Sequence, residues 1–218
     1  MRRLAVLGVL GALLLVLVAA QLVLPGIAAQ RLRDQLSPNG SVLHVEVHAF
    51  PAIELLWRQA DRVVIRMGQY HSSSSHLGSA LAQSADVGTL DASAATVTAG
   101  LLTLHDATLH KRGSALTGSA RIEEADLQRA VPFLTNVQPV ASAGNQLVLR
   151  GTASLLGVSA TADATVTADG GRILVTPQVP FGALATVTVF STPHLEVSSL
   201  SAAPVSGGFT VSATGRIS

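Results

Sequence analysis

The feature that most constrains the fold of this chain is an alternation of small apolar and polar side chains with a period of two. It is clearest between Val158 and Ala168, where Ala and Val alternate with Thr, Ser and Asp. Successive side chains of a strand point to opposite faces, so this pattern predicts a half-buried β-strand. Asp169-Gly170-Gly171 follows with the residue types of a hairpin turn. The chain is therefore expected to fold mainly as β-sheet.

The same alternation recurs from Val42 to the end of the chain. Strands are predicted over Val42 to Ala49, Val63 to Met67, Val87 to Thr98, Leu101 to His110, Leu116 to Ile122, Gln146 to Leu156, Val158 to Ala168, Arg172 to Val179, Thr186 to Phe190, Leu195 to Ala202 and Gly208 to Ile217. Amphipathic helices are predicted over Ala52 to Gln59, which follows Pro51, and over Glu123 to Val131, which starts with acidic residues. These elements predict an α+β domain, with one long antiparallel sheet and two or three short helices.

The N-terminal segment, Met1 to Leu24, adds a second constraint. After Arg2 and Arg3 it carries no charge, and its length is about the 20 residues that a helix needs to span a bilayer. Val18-Ala19-Ala20 also offers the small residues that a signal peptidase reads. We expect either a retained signal anchor or a signal peptide cleaved after Ala20. Both alternatives export the rest of the chain, to the extracytoplasmic face of the cytoplasmic membrane or to the periplasm and cell envelope.

The segment that follows is expected to link the membrane segment to the sheet. Pro25-Gly26 predicts a helix break, Ile27 to Leu36 resumes a helical pattern, and a turn follows at Ser37-Pro38-Asn39-Gly40. The predicted organisation is a signal or anchor over 1–24, a linker helix and turn over 25–41, and one β-rich domain over 42–218. A domain of this size can bury a core of its own.

Composition and motif spacing exclude several functions. A net charge of +1 with 12% charged residues gives no basic field for nucleic acid. The absence of cysteine excludes disulfides, cysteine-ligated zinc and thiol catalysis. His44 and His48 would lie about 13 Å apart on a strand, too far to share one metal ion. No G-x-S-x-G motif marks a nucleophile, so we expect no catalytic residue, metal or cofactor.

Three weak motifs follow one another in a fixed order. They are Ala49-Phe50-Pro51, the stretch from Ser119 to Ala130 (SARIEEADLQRA), and the ending from Gly207 to Gly215 (GGFTVSATG). In this order the chain resembles the LmeA-like phospholipid-binding family of actinobacterial cell-envelope proteins, over roughly residues 25 to 217. The resemblance implies a non-enzymatic extracytoplasmic module that binds phospholipid, phosphatidylinositol types included, and supports lipid transfer or the maturation of envelope lipids and lipoglycans. It also implies a tubular lipid-binding fold, in which a curved sheet wraps a long helix.

A groove between sheet and helices would be lined by apolar side chains. The candidates are Val45, Val47, Phe50, Ile53, Leu56, Trp57, Val63, Ile65, Leu127, Val131 and Leu134. Trp57 suits either a core anchor of its helix or a contact with an acyl chain. Arg62 and Arg66 are headgroup candidates, because guanidinium groups match phosphate. The alternative is a membrane-tethered structural domain whose sheet packs on itself and binds an envelope protein; an exported hydrolase is a third class.

Overall fold

The computed structural model describes residues 23–49, 60–72, 84, 86–99, 102–130, 134–155, 158–178, 186–191 and 195–217. Helix α1 occupies 23–36 and ends in a single 3₁₀ turn, Ser37–Asn39, and helix α2 occupies Glu124–Ala130. The strands are β1 (Gly40–His48), β2 (Ala60–Ser72), β3 (Val87–Ala99), β4 (Leu102–Arg112), β5 (Ala115–Glu123), β6 (Leu134–Ala143), β7 (Gln146–Leu155), β8 (Val158–Asp169), β9 (Arg172–Pro177), β10 (Val187–Ser191), β11 (Leu195–Val205) and β12 (Gly208–Ile217).

The strands form two sheets rather than the single antiparallel sheet that the sequence predicts. Sheet A has the order β1-β2-β3-β4-β5-β12-β11, and sheet B has the order β10-β9-β8-β7-β6. Sheet A is mixed, because β2 and β3 pair in parallel. The connection between them, residues 73–86, is long enough for the crossover that parallel strands require, whereas a hairpin needs only a few residues. Strand alternation in the sequence carries no information about this direction.

Helix α1 packs on one face of sheet A, which we call the inner face. Its Ala28, Ala29 and Leu32 lie against a buried cluster that includes Val47 and Leu90. The periodicity of these three positions gives α1 one apolar side, as expected for a helix that covers a sheet. At the other end of the helix, Leu36 packs against a second buried cluster, which consists of Met67, Tyr70 and Val97.

A shared irregularity bends three neighbouring strands of sheet A at one level. Met67 and Tyr70 of β2 both face the buried cluster, as do Leu104 and Ala107 of β4, although strict alternation would place each pair on opposite faces. Asp106 lies between the latter two with φ 50°, a left-handed conformation that aspartate tolerates better than most residues. Bulges of this kind bend strands and increase their twist.

Sheet B is built mostly from small side chains and also has one apolar face. Leu147 pairs across the sheet with Val166, which in turn pairs with Val175. The opposite face carries Arg150 beside Asp163, so the predicted alternation of this hairpin is confirmed. The β6–β7 turn and the end of β6 contact sheet A, since the Leu200 N–H donates to the Gly144 carbonyl at 2.7 Å and the Ala202 N–H donates to the Ser142 hydroxyl at 3.2 Å.

Most predicted strands and the second predicted helix are confirmed within a few residues, but three expectations are wrong. Pro25 and Gly26 do not break a helix, because both lie within the described helical residues 23–36 of α1. Strand β4 does not end at His110, as predicted, but continues through Lys111 and Arg112. Leu134 lies beyond the predicted helix and begins β6, a strand that the sequence did not predict.

Two further expectations concern the helices. The predicted helix Ala52 to Gln59 and the segment Met1 to Leu22 lie outside the described residues. Among the helices of the described part, none combines the length and the apolar character that a membrane span requires.

Candidate functional site

Two of the three motifs that carry the family resemblance meet in space. Strands β5 and β12 pair so that Ile122 lies opposite Phe209 and Glu123 lies opposite Gly208. A Cβ atom on Gly208 would approach the Ile122 carbonyl oxygen to 2.0 Å, so only glycine fits there. Phe209 is 2% exposed, one of the two most deeply buried large side chains described. The two motifs therefore form one paired unit of sheet A, beside its edge strand β11.

The inner face of sheet A continues beyond the part that α1 contacts in the two buried clusters. Those clusters draw their sheet residues from β1 to β4. On β11 and β12 the inner face carries apolar side chains that are only half-buried. We call this set the inner strip: Val197, Leu200, Ala202, Val211 and Ala213. It is a row of apolar surface that the described residues cover incompletely.

The structure brings together four of the predicted groove residues. Val45, Val47, Val63 and Ile65 lie side by side on the inner face and pack under α1. They belong to the core between the sheet and the helix. That these residues line a lipid-binding groove stays a prediction. Leu127 lies on α2, away from this cluster, and is half-buried. The remaining candidates, Phe50, Ile53, Leu56, Trp57 and Val131, lie outside the described residues, and the side chain of Leu134 is not described.

The two predicted headgroup residues lie on the outer face of β2. Arg62 and Arg66 are both exposed and alternate with the inward Val63 and Ile65. The Arg62 guanidinium lies 2.9 Å from the Asp91 carboxylate, which His110 also contacts at 2.9 Å. The hydrogen bond from His110, and next the Arg62 guanidinium, lower the pKa of Asp91. Headgroup binding by these arginines stays a prediction, and it would have to occur on the face opposite α1.

Lys111 was not singled out by its sequence, yet it is the chain's only lysine and is 1% exposed. It lies on the inner face, with Leu90 and Leu116 as its cross-strand neighbours. Its ammonium group donates a hydrogen bond to the Val87 carbonyl oxygen. Burial lowers the pKa of Lys111, although Asp86 acts in the opposite direction. A buried cation among leucines is costly unless it is hydrogen-bonded, as it is here.

A second charged cluster joins α2 to the sheet. Asp126, whose side chain is 4% exposed, lies 2.6 Å from the His105 imidazole and 2.6 Å from the Arg129 guanidinium. With Glu123, His105 and Asp126 place their ligand atoms within 4.8 Å of one another, close enough for a metal ion. However, Arg129 already pairs with Asp126, and Arg121 lies 3.8 Å from Glu123. These guanidinium groups neutralise the carboxylates, so the cluster is best described as an ion-pair network.

The arrangement defines a β-rich domain with a helix on an apolar sheet face and no constellation of catalytic side chains among the residues described. The chain matches the model of the LmeA-like phospholipid-binding family over residues 16–212. Because the match covers most of its length, the protein belongs to this family. The resemblance recognised from the three motifs is thereby confirmed. No curated protein and no solved structure matches the chain significantly.

Proposed function

We propose that this protein is a non-enzymatic phospholipid-binding protein that works outside the cytoplasm. In this role it carries phospholipid, or presents it to enzymes, in support of lipid transfer or the maturation of envelope lipids and lipoglycans. Its membership of a phospholipid-binding family supports the ligand class. The uncharged segment from Leu4 to Leu24, preceded by Arg2 and Arg3, supports export across the cytoplasmic membrane.

The observation that carries the proposal is the inner strip of β11 and β12. An apolar side chain that another element covers completely is expected to be buried like Val63 under α1, which is 6% exposed. Instead, Leu200 and Val211 keep part of their apolar surface open beside the fully buried Phe209. Exposed apolar surface next to a packed core is typical of ligand-binding grooves.

The mechanism that follows is shielding of acyl chains from water. An acyl chain that lies along the inner strip leaves water and contacts Leu200, Val197 and their neighbours. This burial stabilises the complex by about 0.8 kcal/mol per methylene group. The headgroup remains at the polar rim of the sheet. Neither a covalent step nor a cofactor is needed, because the hydrophobic effect alone supplies the driving force.

Native mass spectrometry of the full chain, released from a membrane-competent host in mild detergent, tests the proposal. We expect phospholipid to co-purify with the protein. Ala202→Trp places an indole on the inner strip and should displace part of an acyl chain. The loss of two methylene contacts, at about 0.8 kcal/mol each, already lowers affinity about tenfold. At lipid concentrations well below the dissociation constant, lipid occupancy of the variant should therefore fall by about that factor.

Ser201→Trp is the matched control. Ser201 is exposed and lies next to Ala202 on β11, but it faces the opposite side of the sheet. The Ser201→Trp variant introduces the same side chain outside the inner strip, so its lipid occupancy should equal that of the wild type. An apo mass for the wild type, with no uptake from added phospholipid vesicles, would refute the proposal. An equal loss in both variants would show that the strip is not the binding surface.

A further inference from the structure

The direction of α1 distinguishes the two ends of sheet A. At the near end, β1 ends at His48, β2 begins at Ala60 and β4 turns into β5 through Gly113 and Ser114. At the far end, β1 begins at Gly40, and β11 turns into β12 through Ser206 and Gly207. The paired strands align these ends across the sheet, as Arg112 lies opposite Ala115 and Glu123 lies opposite Gly208.

Helix α1 runs antiparallel to β1, from the near end to the far end. Leu36, its last residue, packs beside Met67 and Tyr70, towards the far end. Ala28 and Ala29 pack with the cluster that contains Val47 and Ala60, at the near end. Fourteen helical residues span about 20 Å, and the eight residues of β1 from Gly40 to Val47 span about 23 Å. The first described turn of α1, from residue 23 onwards, therefore lies level with the near end of the sheet.

The first turns of α1 also have apolar side chains that point away from the sheet. Val23 is 55% exposed and Ile27 is 46% exposed, one helical turn apart. The later exposed positions of the helix are polar, among them Gln30, Arg31 and Arg33. Upstream of Val23 the sequence continues without charge back to Leu4. An apolar stretch followed by arginines is typical of a segment that passes from the bilayer into the headgroup region.

From these observations we propose that the near end of sheet A faces the bilayer and is the mouth through which phospholipid enters the inner face. The inference rests on the proposed function for the identity of the cargo, and adds the direction from which it comes. An upright orientation places Ile27 at the membrane surface and the Gly113–Ser114 turn close to it. The Ser206–Gly207 turn then lies a whole strand length away, in water. An acyl chain can slide along the inner strip without leaving apolar surroundings.

Site-directed labelling tests this orientation cleanly, because the chain contains no cysteine. Ser114→Cys and Ser206→Cys place one thiol in an exposed turn at each end of the sheet. Ile27→Cys and Arg33→Cys form the corresponding pair along α1. The full chain is reconstituted in phosphatidylcholine vesicles that contain phosphatidylinositol, and each thiol carries a fluorophore. Quenching by lipids with a spin label in the headgroup measures how close each site is to the membrane surface.

We expect at least a threefold stronger quenching at Ser114 than at Ser206, and at Ile27 than at Arg33. The pair on the sheet decides the question, since Ile27 lies close in sequence to the apolar segment in any orientation. Stronger quenching at Ser206, equal quenching of the two turns, or none at either turn would overturn the proposed orientation. Native mass spectra of the same samples report phospholipid occupancy separately. Bound lipid with the wrong quenching order would refute the orientation alone, and absence of lipid would refute the proposed function.

Discussion

The strands of sheets A and B show the same alternating sequence pattern, but the two sheets differ in the size and the burial of their apolar side chains. Sheet A carries valine, leucine and methionine on its inner face, and α1 covers part of it, so that Val63 and Leu90 are 6% and 7% exposed. Sheet B carries mostly alanine and valine; Leu147 and Ala168 are 4% and 3% exposed, but Leu149 and Ala164 beside them remain half-buried. The alternation determines which face is apolar. How much of that face is buried depends on side-chain size and on a covering element.

The largest expected effect comes from removing a buried leucine from sheet A. Leu90→Ala should lower the free energy of unfolding by about 2–5 kcal/mol, because it creates a cavity under α1. Leu149→Ala in sheet B should cost clearly less, since its half-buried side chain has less contact to lose. Chemical denaturation of both variants measures the difference. Equal losses would mean that the two sheets have equally packed cores, which would contradict the comparison.

An intermediate effect is expected at Lys111, the buried cation of sheet A. Its pKa is lowered on folding, so the unfolded chain binds the proton more tightly, and stability should rise with pH between the folded pKa and 10.5. Within that window the slope reaches at most about 1.4 kcal/mol per pH unit.

Lys111→Met keeps most of the side-chain volume and removes the titration, so this rise should disappear from denaturation curves recorded at several alkaline pH values. The measurement is specific, because the chain contains no other lysine. A rise that persists unchanged in the variant would show that another group causes it.

The smallest effect is expected on the polar face of sheet B. Arg150 and Asp163 form two hydrogen bonds, of 2.7 and 2.9 Å, and the pair lowers the pKa of Asp163. Both side chains are in contact with solvent, which screens their attraction. Arg150→Met should therefore lower the melting temperature at pH 7 only slightly.

The same variant should move the pKa of Asp163 upward, towards 3.8, in a carboxyl NMR titration. The stability that a lowered carboxyl pKa provides is present above the ordinary pKa and is lost as pH falls through the folded value. Any stability that Arg150 contributes should therefore be present at neutral pH, where solvent keeps it small, and should disappear as Asp163 is protonated at acidic pH. A marked loss of stability at neutral pH would show that sheet B depends on this pair.

The sequence predicted local structure well and the arrangement of that structure less well. Period-two alternation located most of the strands because it is a property of a few neighbouring residues. It missed β6, in which Pro139 interrupts the pattern. The parallel pairing of β2 and β3 and the division into two sheets depend on contacts between distant residues, which local patterns do not encode.

The candidate site shows the same limit. Val45, Val47, Val63 and Ile65 were correctly predicted to share an apolar face, because alternation defines faces. Alternation alone could not identify the inner strip, because the half-burial of these residues depends on how far across the sheet α1 makes contact. Lys111 was also missed, because a lysine next to an arginine and a glycine has the appearance of a surface turn. Its burial follows from strand register, which placed it opposite Leu116.

The order of strands in sheet A also constrains when the protein can fold. Strand β5 pairs with β12, so that Glu123 lies beside Gly208, and all of sheet B is inserted between the two in the sequence. Contacts between such distant residues raise the contact order, which slows folding. During synthesis the seven-stranded sheet cannot be completed until β12 has emerged. Until then Ile122 has no Phe209 beside it, and the apolar surface that stays open favours aggregation. A chaperone that prevents aggregation is therefore expected to be most important for the nearly complete chain.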